Sequence, residues 1–220
     1  MEILVDTQVV AFLRTAQLFR DRDGCIVEVE AQPGLLILRA TDGITAIADA
    51  FEIPGQPSLP RGTLSLEDVT RIARLTKRKV AAPFQVELGA PFPFDFEVIM
   101  RGTDNATLDV ADLRSVLRSA APRGPVVVLV LAATDFDTLV VTCEAFEAQI
   151  QCEHSHGGVI GVNVKKLLQA LRTAPEEGTV SLGFQPYSVS ASFSDSGLRV
   201  ALMPARCDFE HPITGELVQA

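Results

Sequence analysis

Residues 2–16, EILVDTQVVAFLRTA, align without a gap with residues 106–120, ATLDVADLRSVLRSA. At this offset of 104 positions the pair Leu13–Arg14 recurs as Leu117–Arg118, and the offset is close to half of the 220-residue chain. Because each half would have a common domain size, the alignment predicts two copies of one fold. Each copy opens with an amphipathic helix that carries arginine on the side away from its apolar residues.

The apolar pattern predicts the same order of elements in both halves, with helices from the 3.6-residue period and strands from alternation. The first half is predicted to contain helices 7–19 and 66–78, with strands near 25–31, 35–40, 44–52, 84–89 and 94–100. The second half is predicted to contain helices 110–120 and 163–173, with strands near 125–132, 137–142, 145–153, 179–184, 187–194 and 198–203. A polar stretch at 101–107 separates them. We therefore expect α+β domains at 1–104 and 105–207, followed by a loosely ordered tail at 208–220.

Charge is segregated along the chain. The formal net charge is −9, which alone argues against nucleic acid. However, the four windows that hold the predicted helices (7–22, 66–79, 110–123 and 163–174) contain 14 of the 19 lysines and arginines but only 4 of the 28 acidic residues. A single basic helix side is explained by ordinary contact with solvent. Four basic helices that follow the internal repeat instead predict a surface that binds a polyanion. The predicted binding residues are Arg14, Arg71, Arg74, Lys77, Arg78, Arg114, Arg118, Lys165, Lys166 and Arg172.

Patterns typical of enzymes are missing from the sequence. It contains no glycine-rich nucleotide-binding motif, zinc-protease motif or nucleophile elbow, so we expect neither catalytic residues nor a cofactor. Residues 152–156, CEHSH, include metal-ligating types, but no second cluster completes a tetrahedral site, and a surface loop is favoured over a metal centre.

The sequence also bears on the compartment. The four cysteines lack CxxC spacing, and the longest apolar run, Val126–Ala133, is far too short for a membrane span. No secretory signal is visible at the N-terminus. We expect a cytoplasmic protein with free thiols and no membrane contact.

Three stretches resemble the bacterial-type sliding clamp, the beta subunit of DNA polymerase III. Residues 161–171, GVNVKKLLQAL, match the family's strand-into-helix segment; residues 202–206, LMPAR, match its C-terminal motif; and residues 38–43, LRATDG, match a turn of the first repeat. The resemblance covers both halves in the right order. It implies clamp domains in which two helices pack on antiparallel sheets, with the helices lining a ring around duplex DNA.

The resemblance further implies a site for protein partners. A peptide of DNA polymerase would occupy a groove between domains, and a clamp loader would place the ring on DNA. The implied groove residues are Thr41, Gly43, Ile44, Leu202, Met203, Pro204, Ala205 and Arg206. Ile44–Thr45 stand where the family usually has a His-Arg pair, and 14 residues follow the LMPAR motif.

Two functional hypotheses stay open at this point. The first is a DNA sliding clamp, or polymerase processivity factor, that closes as a homo-oligomeric ring. Because bacterial clamps have three domains per chain and this chain has two, six domains imply a homotrimer. The alternative is a clamp-like interaction protein that does not close a ring and binds or regulates replication proteins. A small-molecule enzyme is disfavoured by the missing motifs.

Overall fold

The computed structural model describes residues 2–19, 25–75, 80–83, 86–87, 106–132, 137–154, 156–185, 188–205, 208–210 and 217–219. The chain divides into two compact units, Met1–Asp95 and Phe96–Ala220. The predicted boundary at 104/105 and the predicted strand near 94–100 lie outside the described residues. The domain limits therefore stay a prediction.

The first unit combines two helices with antiparallel strands. Helix α1 (Thr7–Ala16) continues as a 3-10 turn (Gln17–Phe19), and helix α2 spans Leu66–Ala73. The strands are β1 (Glu2–Val5), β2 (Ile26–Gln32), β3 (Leu35–Thr41), β4 (Thr45–Glu52), β5 (Leu59–Leu64), β6 (Val80–Pro83) and β7 (Val86–Glu87). They pair antiparallel in the order β4-β3-β2-β5-β7, and β1 pairs separately with β6.

The second unit has the same combination with more strands described. Helix α3 spans Val110–Ala120, and helix α4 (Val164–Ala170) continues as a 3-10 turn (Leu171–Thr173). The strands are β8 (Ala106–Asp109), β9 (Val126–Leu131), β10 (Thr138–Cys143), β11 (Phe146–His154), β12 (Gly158–Asn163), β13 (Thr179–Gln185), β14 (Ser188–Phe193), β15 (Arg199–Leu202), β16 (Asp208–Glu210) and β17 (Leu217–Gln219). Antiparallel pairing gives the order β12-β9-β10-β11-β8-β13-β14-β15, and β16 and β17 form a separate pair.

The internal repeat is visible in the elements themselves. Strand β8 begins and ends 104 positions after β1, the offset found in the sequence. In both units this strand leads into the first helix and pairs antiparallel with the strand after the second helix. The sequence pattern did not predict β1 or β8 because four residues are too few to show alternation. The α+β class, with two helices and antiparallel strands in each unit, is confirmed.

The expectation of a loosely ordered tail at 208–220 is corrected in part. Strand β16 pairs with β17, with Phe209 opposite Val218 in the register. Pairing of this kind satisfies backbone N–H and C=O groups that a single extended segment would leave to water.

Each described helix begins at a side-chain cap and buries the predicted stripe. Asp6, Ser65, Asp109 and Asn163 accept hydrogen bonds from backbone N–H groups of the first turn, which otherwise lack partners. The buried residues are Val9, Val10, Phe12, Leu13 and Ala16 in α1; Val69, Ile72 and Ala73 in α2; Val110, Leu113, Leu117 and Ala120 in α3; and Val164, Leu167 and Ala170 in α4. Val116 and Leu168, which the 3.6-residue period also places on the apolar stripes of α3 and α4, are only half-buried. The cationic side chains are therefore carried on the remaining helix faces.

Candidate nucleic-acid interface

In the first unit, arginines lie on the exposed sides of α1 and α2. Arg14 is exposed, and its Nε donates a hydrogen bond of 2.8 Å to the carbonyl of Ala73, the last residue of α2. Arg71 is exposed and forms an ion pair of 2.6 Å with Asp68, one turn earlier on the same helix.

Arg74 is the C-cap residue of α2 and is exposed, and its guanidinium forms no hydrogen bond or ion pair with the part of the chain that the structure describes. Lys77 and Arg78 lie outside the described residues.

A shallow groove follows the outer side of α2. Its volume is about 630 Å³, and it is lined by Leu66, Glu67, Thr70, Arg71 and Arg74. Leu66 is 47% exposed, so apolar surface lies next to two guanidinium groups. In the Arg71–Asp68 ion pair, the Arg71 side chain is 43% exposed and the Asp68 side chain is 14% exposed. Arg71 therefore presents positive charge to solvent while it stays paired with Asp68.

In the second unit, Arg114 is held between the two helices. Its Nη2 donates hydrogen bonds of 2.5 and 2.6 Å to the carbonyls of Leu171 and Ala174. The pKa of Arg114 is lowered, chiefly because burial removes the guanidinium from water and secondarily because of the charge of Arg118, while Glu176 acts in the opposite direction. Arg114 is thus a half-buried cation at the C-terminal end of α4 and its 3-10 turn.

The other predicted cations of this unit lie nearer the solvent. Arg118, Lys165 and Arg172 are exposed, and Lys166 is half-buried. Arg114, Arg118 and Arg172 line a groove of about 370 Å³ together with Leu168, Leu171, Ala174 and Glu176. Among the described residues, Arg118, Lys165 and Arg172 have no hydrogen-bond or ion-pair partner for their side chains. Their charges are available to an anionic ligand.

The residues predicted for partner binding in the first unit build a tight turn between β3 and β4. Thr41 is buried; its hydroxyl donates to the carbonyl of Thr45 and accepts from the N–H of Gly43. The Asp42 carboxylate accepts from the N–H groups of Ile44 and Thr45. Gly43 has a φ of 84°, a conformation that glycine adopts without a Cβ clash. Ile44 is 44% exposed, so it is the apolar side chain that this turn presents to solvent.

In the second unit, the predicted partner-binding residues follow β15. Leu202 is buried, whereas Met203 is 56% exposed, the highest value among the large hydrophobic residues of the described chain. Pro204 and Ala205 are half-buried, and the Ala205 N–H donates to the carbonyl of Gly161 in β12. Arg206 lies outside the described residues. The assignment of these residues and of the Thr41–Ile44 turn to one groove stays a prediction.

The stretch CEHSH begins in a strand, in agreement with the strand predicted near 145–153. Cys152, Glu153 and His154 end β11 and pair with β8, and Cys152 is buried. Within the described ranges, no group of three or more His, Cys, Asp or Glu side chains is arranged to hold a metal ion. The helices of those ranges include none with the length and apolar character needed to cross a bilayer.

Sequence reasoning did not foresee the contacts of Arg14 and Arg114 with the neighbouring helix. Both were assigned to the outward helix faces by periodicity, which describes one helix at a time. Their carbonyl acceptors lie 57 to 60 positions away in the chain. Periodicity within a single helix contains no signal for such a contact.

Comparison with solved structures identifies the fold as that of the DNA polymerase III beta subunit. The Thermotoga maritima beta subunit superposes with a TM-score of 0.68 at 18% identity, over 94% of this chain and 66% of that one. The Pseudomonas aeruginosa subunit gives a TM-score of 0.71 at 20% identity, again over 94% and 66%. The Helicobacter pylori beta clamp bound to a DNA ligase peptide gives 0.70 at 13% identity, over 93% and 65%.

At these identities the likeness defines the fold, and the chain spans about two thirds of the length of these clamps. No protein-family model and no curated protein matches the sequence. The predicted resemblance to the sliding clamp is confirmed at the level of the fold.

Proposed function

We propose that the chain is a DNA sliding clamp that encircles duplex DNA without sequence preference and tethers a DNA polymerase. The observation that carries the proposal is the placement of exposed cations on the helices of both units of a clamp fold, in a protein of net charge −9. Arg74, Arg118, Lys165 and Arg172 are the strongest candidates for phosphate contacts because their side chains have no partner among the described residues. Contacts to phosphate give affinity without sequence information.

The acidic remainder of the chain is consistent with this role. The segments outside the four cationic windows contain 24 acidic residues and only 5 lysines or arginines. Such a surface repels DNA everywhere except at the helices, which limits binding to one orientation. We further propose a homotrimer for the 220-residue chain, since three chains of two units each supply the six domains of a ring. Ring closure would also cover sheet edges that otherwise invite nonspecific pairing.

Partner binding is the second half of the proposal. Met203 and Ile44 are exposed apolar side chains next to the two motifs that resemble the clamp family. Exposed methionine is an adaptable contact for an apolar peptide. We propose that peptides of a polymerase or clamp loader contact these residues.

The second candidate is a clamp-like interaction protein that does not close a ring. It is favoured by the coverage, because the chain spans about two thirds of the length of the clamps that it resembles. In that case the cationic helices would serve a contact with replication proteins or with DNA in an open assembly.

Multi-angle light scattering at micromolar concentrations tests the choice between the two. The clamp proposal expects a species of three times the chain mass of 23.7 kDa. A monomer at every concentration would favour the second candidate, and a dimer would contradict the six-domain count.

A further inference from the structure

We propose that Arg114 and its counterpart Arg14 are positioning residues that join the two helices of each unit, and that the half-buried Arg114 is not itself a phosphate ligand. The inference deepens the proposed function, because it divides the cations of the candidate interface into two groups. One group fixes the helices, and the other faces the DNA.

The two contacts are equivalent in the fold although the arginines are not equivalent in the sequence. The acceptors Ala73 and Leu171 each lie eight residues after the N-cap of the second helix, Ser65 or Asn163. The offset of 104 pairs Arg14 with Arg118, yet it is Arg114 that makes the corresponding contact.

The two donor arginines lie at different distances from the N-terminus of the first helix. Arg14 lies eight residues after the N-cap Asp6, and Arg114 lies five residues after the N-cap Asp109. A difference of three residues is close to one helical turn, so both arginines lie on similar sides of their helices. The two units therefore make the same interhelical contact from donors whose positions differ by about one helical turn.

The chemistry of a helix end explains why an arginine fits there. The last four carbonyls of a helix have no partner within that helix, and the C-terminal end carries a partial negative charge. The Ala174 carbonyl, and the Leu171 carbonyl that also accepts from the Ala174 N–H at 3.2 Å, obtain a charged donor from the Arg114 Nη2 group. The Arg114 guanidinium therefore already donates hydrogen bonds to protein acceptors, and its side chain is half-buried. By contrast, Arg118 and Arg172 are exposed on either side of the same groove.

The contact lies where it can control the spacing of the phosphate-facing cations. Arg118 follows Arg114 by one turn on α3, and Arg172 directly follows Leu171, whose carbonyl Arg114 binds. Loss of the Arg114 contact would therefore loosen the element that carries Arg172 against the helix that carries Arg118. We expect weaker DNA binding from misplaced cations, without loss of a phosphate contact.

The test compares Arg114→Gln with the matched variant Arg118→Gln in the full chain. Binding to a fluorescent DNA duplex is measured over a series of salt concentrations, and thermal unfolding is followed in parallel. Arg114→Gln should lower the midpoint of unfolding by about 3–6 °C, weaken binding at every salt concentration and leave the log–log salt slope unchanged. Arg118→Gln should keep the midpoint and reduce the magnitude of the slope by about 0.9. An equal reduction of the slope in Arg114→Gln would overturn the inference.

Two further measurements separate this inference from the proposed function. If Arg114→Gln does not fold, Arg114→Lys replaces it. Lysine keeps the charge but only one of the two carbonyl contacts, so it should still lower the unfolding midpoint and weaken binding. A midpoint and an affinity equal to those of the unsubstituted chain would contradict the positioning role. If the unsubstituted chain binds no DNA at all, the proposed function fails, and the thermal measurements still decide the positioning role. Equal unfolding midpoints for Arg114→Gln and Arg118→Gln would then contradict it.

Discussion

Replacement of Glu28 by alanine should destabilise the first unit more than any exposed ion pair would explain. Glu28 is 1% exposed and lies in β2 opposite Arg39 of β3. Its carboxylate accepts from Arg39 Nη1 and from Arg61 Nε, each at 2.7 Å. Arg39 also contacts Glu30 at 3.2 Å. Three strands are thereby joined through one buried carboxylate.

The magnitude follows from the exposure of each partner. Removal of one member of a buried ion pair costs about 3–5 kcal/mol, because a charge is left without compensation. Arg61 is 56% exposed at its side chain and can turn to water, while Arg39 is 17% exposed but keeps Glu30. Because Arg61 can be hydrated and Arg39 retains its contact with Glu30, the expected cost of Glu28→Ala is lower, about 2–3 kcal/mol.

Urea unfolding followed by circular dichroism measures this cost as a change in the free energy of unfolding. Arg61→Ala is the matched control and should cost no more than about 1 kcal/mol, since it removes an exposed partner of the same carboxylate. A cost for Glu28→Ala no greater than that for Arg61→Ala would refute the reasoning.

Three further substitutions test other parts of the molecule. Burial in β4, opposed by a hydrogen bond from the Ala50 N–H, raises the pKa of Asp49 to about 6. The protonated form is therefore favoured by folding, and the stability from this group is present below pH 3.8 and lost as the pH rises through about 6. Asp49→Asn should raise the free energy of unfolding by about 1–2 kcal/mol at pH 7.5 and leave it unchanged near pH 3.5, as measured by urea unfolding. An equal increase at both pH values would contradict the raised pKa of Asp49. Gly178 has a φ of 104° and Gly34 a φ of 81°. A Cβ at Gly178 would come closest to the exposed Asp195 carboxylate, which can turn aside, and a Cβ at Gly34 would meet open space. The expected cost therefore comes from the positive φ: Gly178→Ala and Gly34→Ala should each lower the free energy of unfolding by about 1–3 kcal/mol in the same assay, and an unchanged free energy at both positions would contradict backbone strain. Met203→Glu should leave stability within about 0.5 kcal/mol and abolish binding of a clamp-binding peptide by fluorescence polarisation, while Leu66→Glu, another exposed apolar position, should bind as before; retained binding in Met203→Glu would remove this residue from the partner site.

The sequence alone predicted those helices and strands whose own residues show a 3.6-residue or an alternating hydrophobic pattern. Helix α3 was predicted at its observed bounds, and β2, β3, β4 and β14 lie within one or two residues of the predicted strands. These segments are long enough for alternation or a 3.6-residue stripe to be seen, and tertiary packing then buries the same side.

The features that were missed depend on contacts between distant segments. Gln56 lies in the connection between β4 and β5 and is buried, and its side-chain oxygen accepts from the Leu4 N–H at 2.9 Å. Arg14 and Arg114 likewise find their acceptors on another helix. Such contacts are set by which segments the fold brings together, and the local pattern around each residue contains no record of them. For the same reason, periodicity grouped all outward cations as equivalent.

Retention on circular DNA tests the central proposal most directly. The chain is mixed with nicked circular DNA at a concentration low enough for a ring to dissociate, concentrated to allow closure, and washed at high salt, where phosphate contacts weaken. The proposal predicts that the protein stays on the circle and is lost once a restriction enzyme has cut it, because a closed ring slides off a free end. Equal retention on circular and linear DNA, or complete loss from both at high salt, would contradict encirclement.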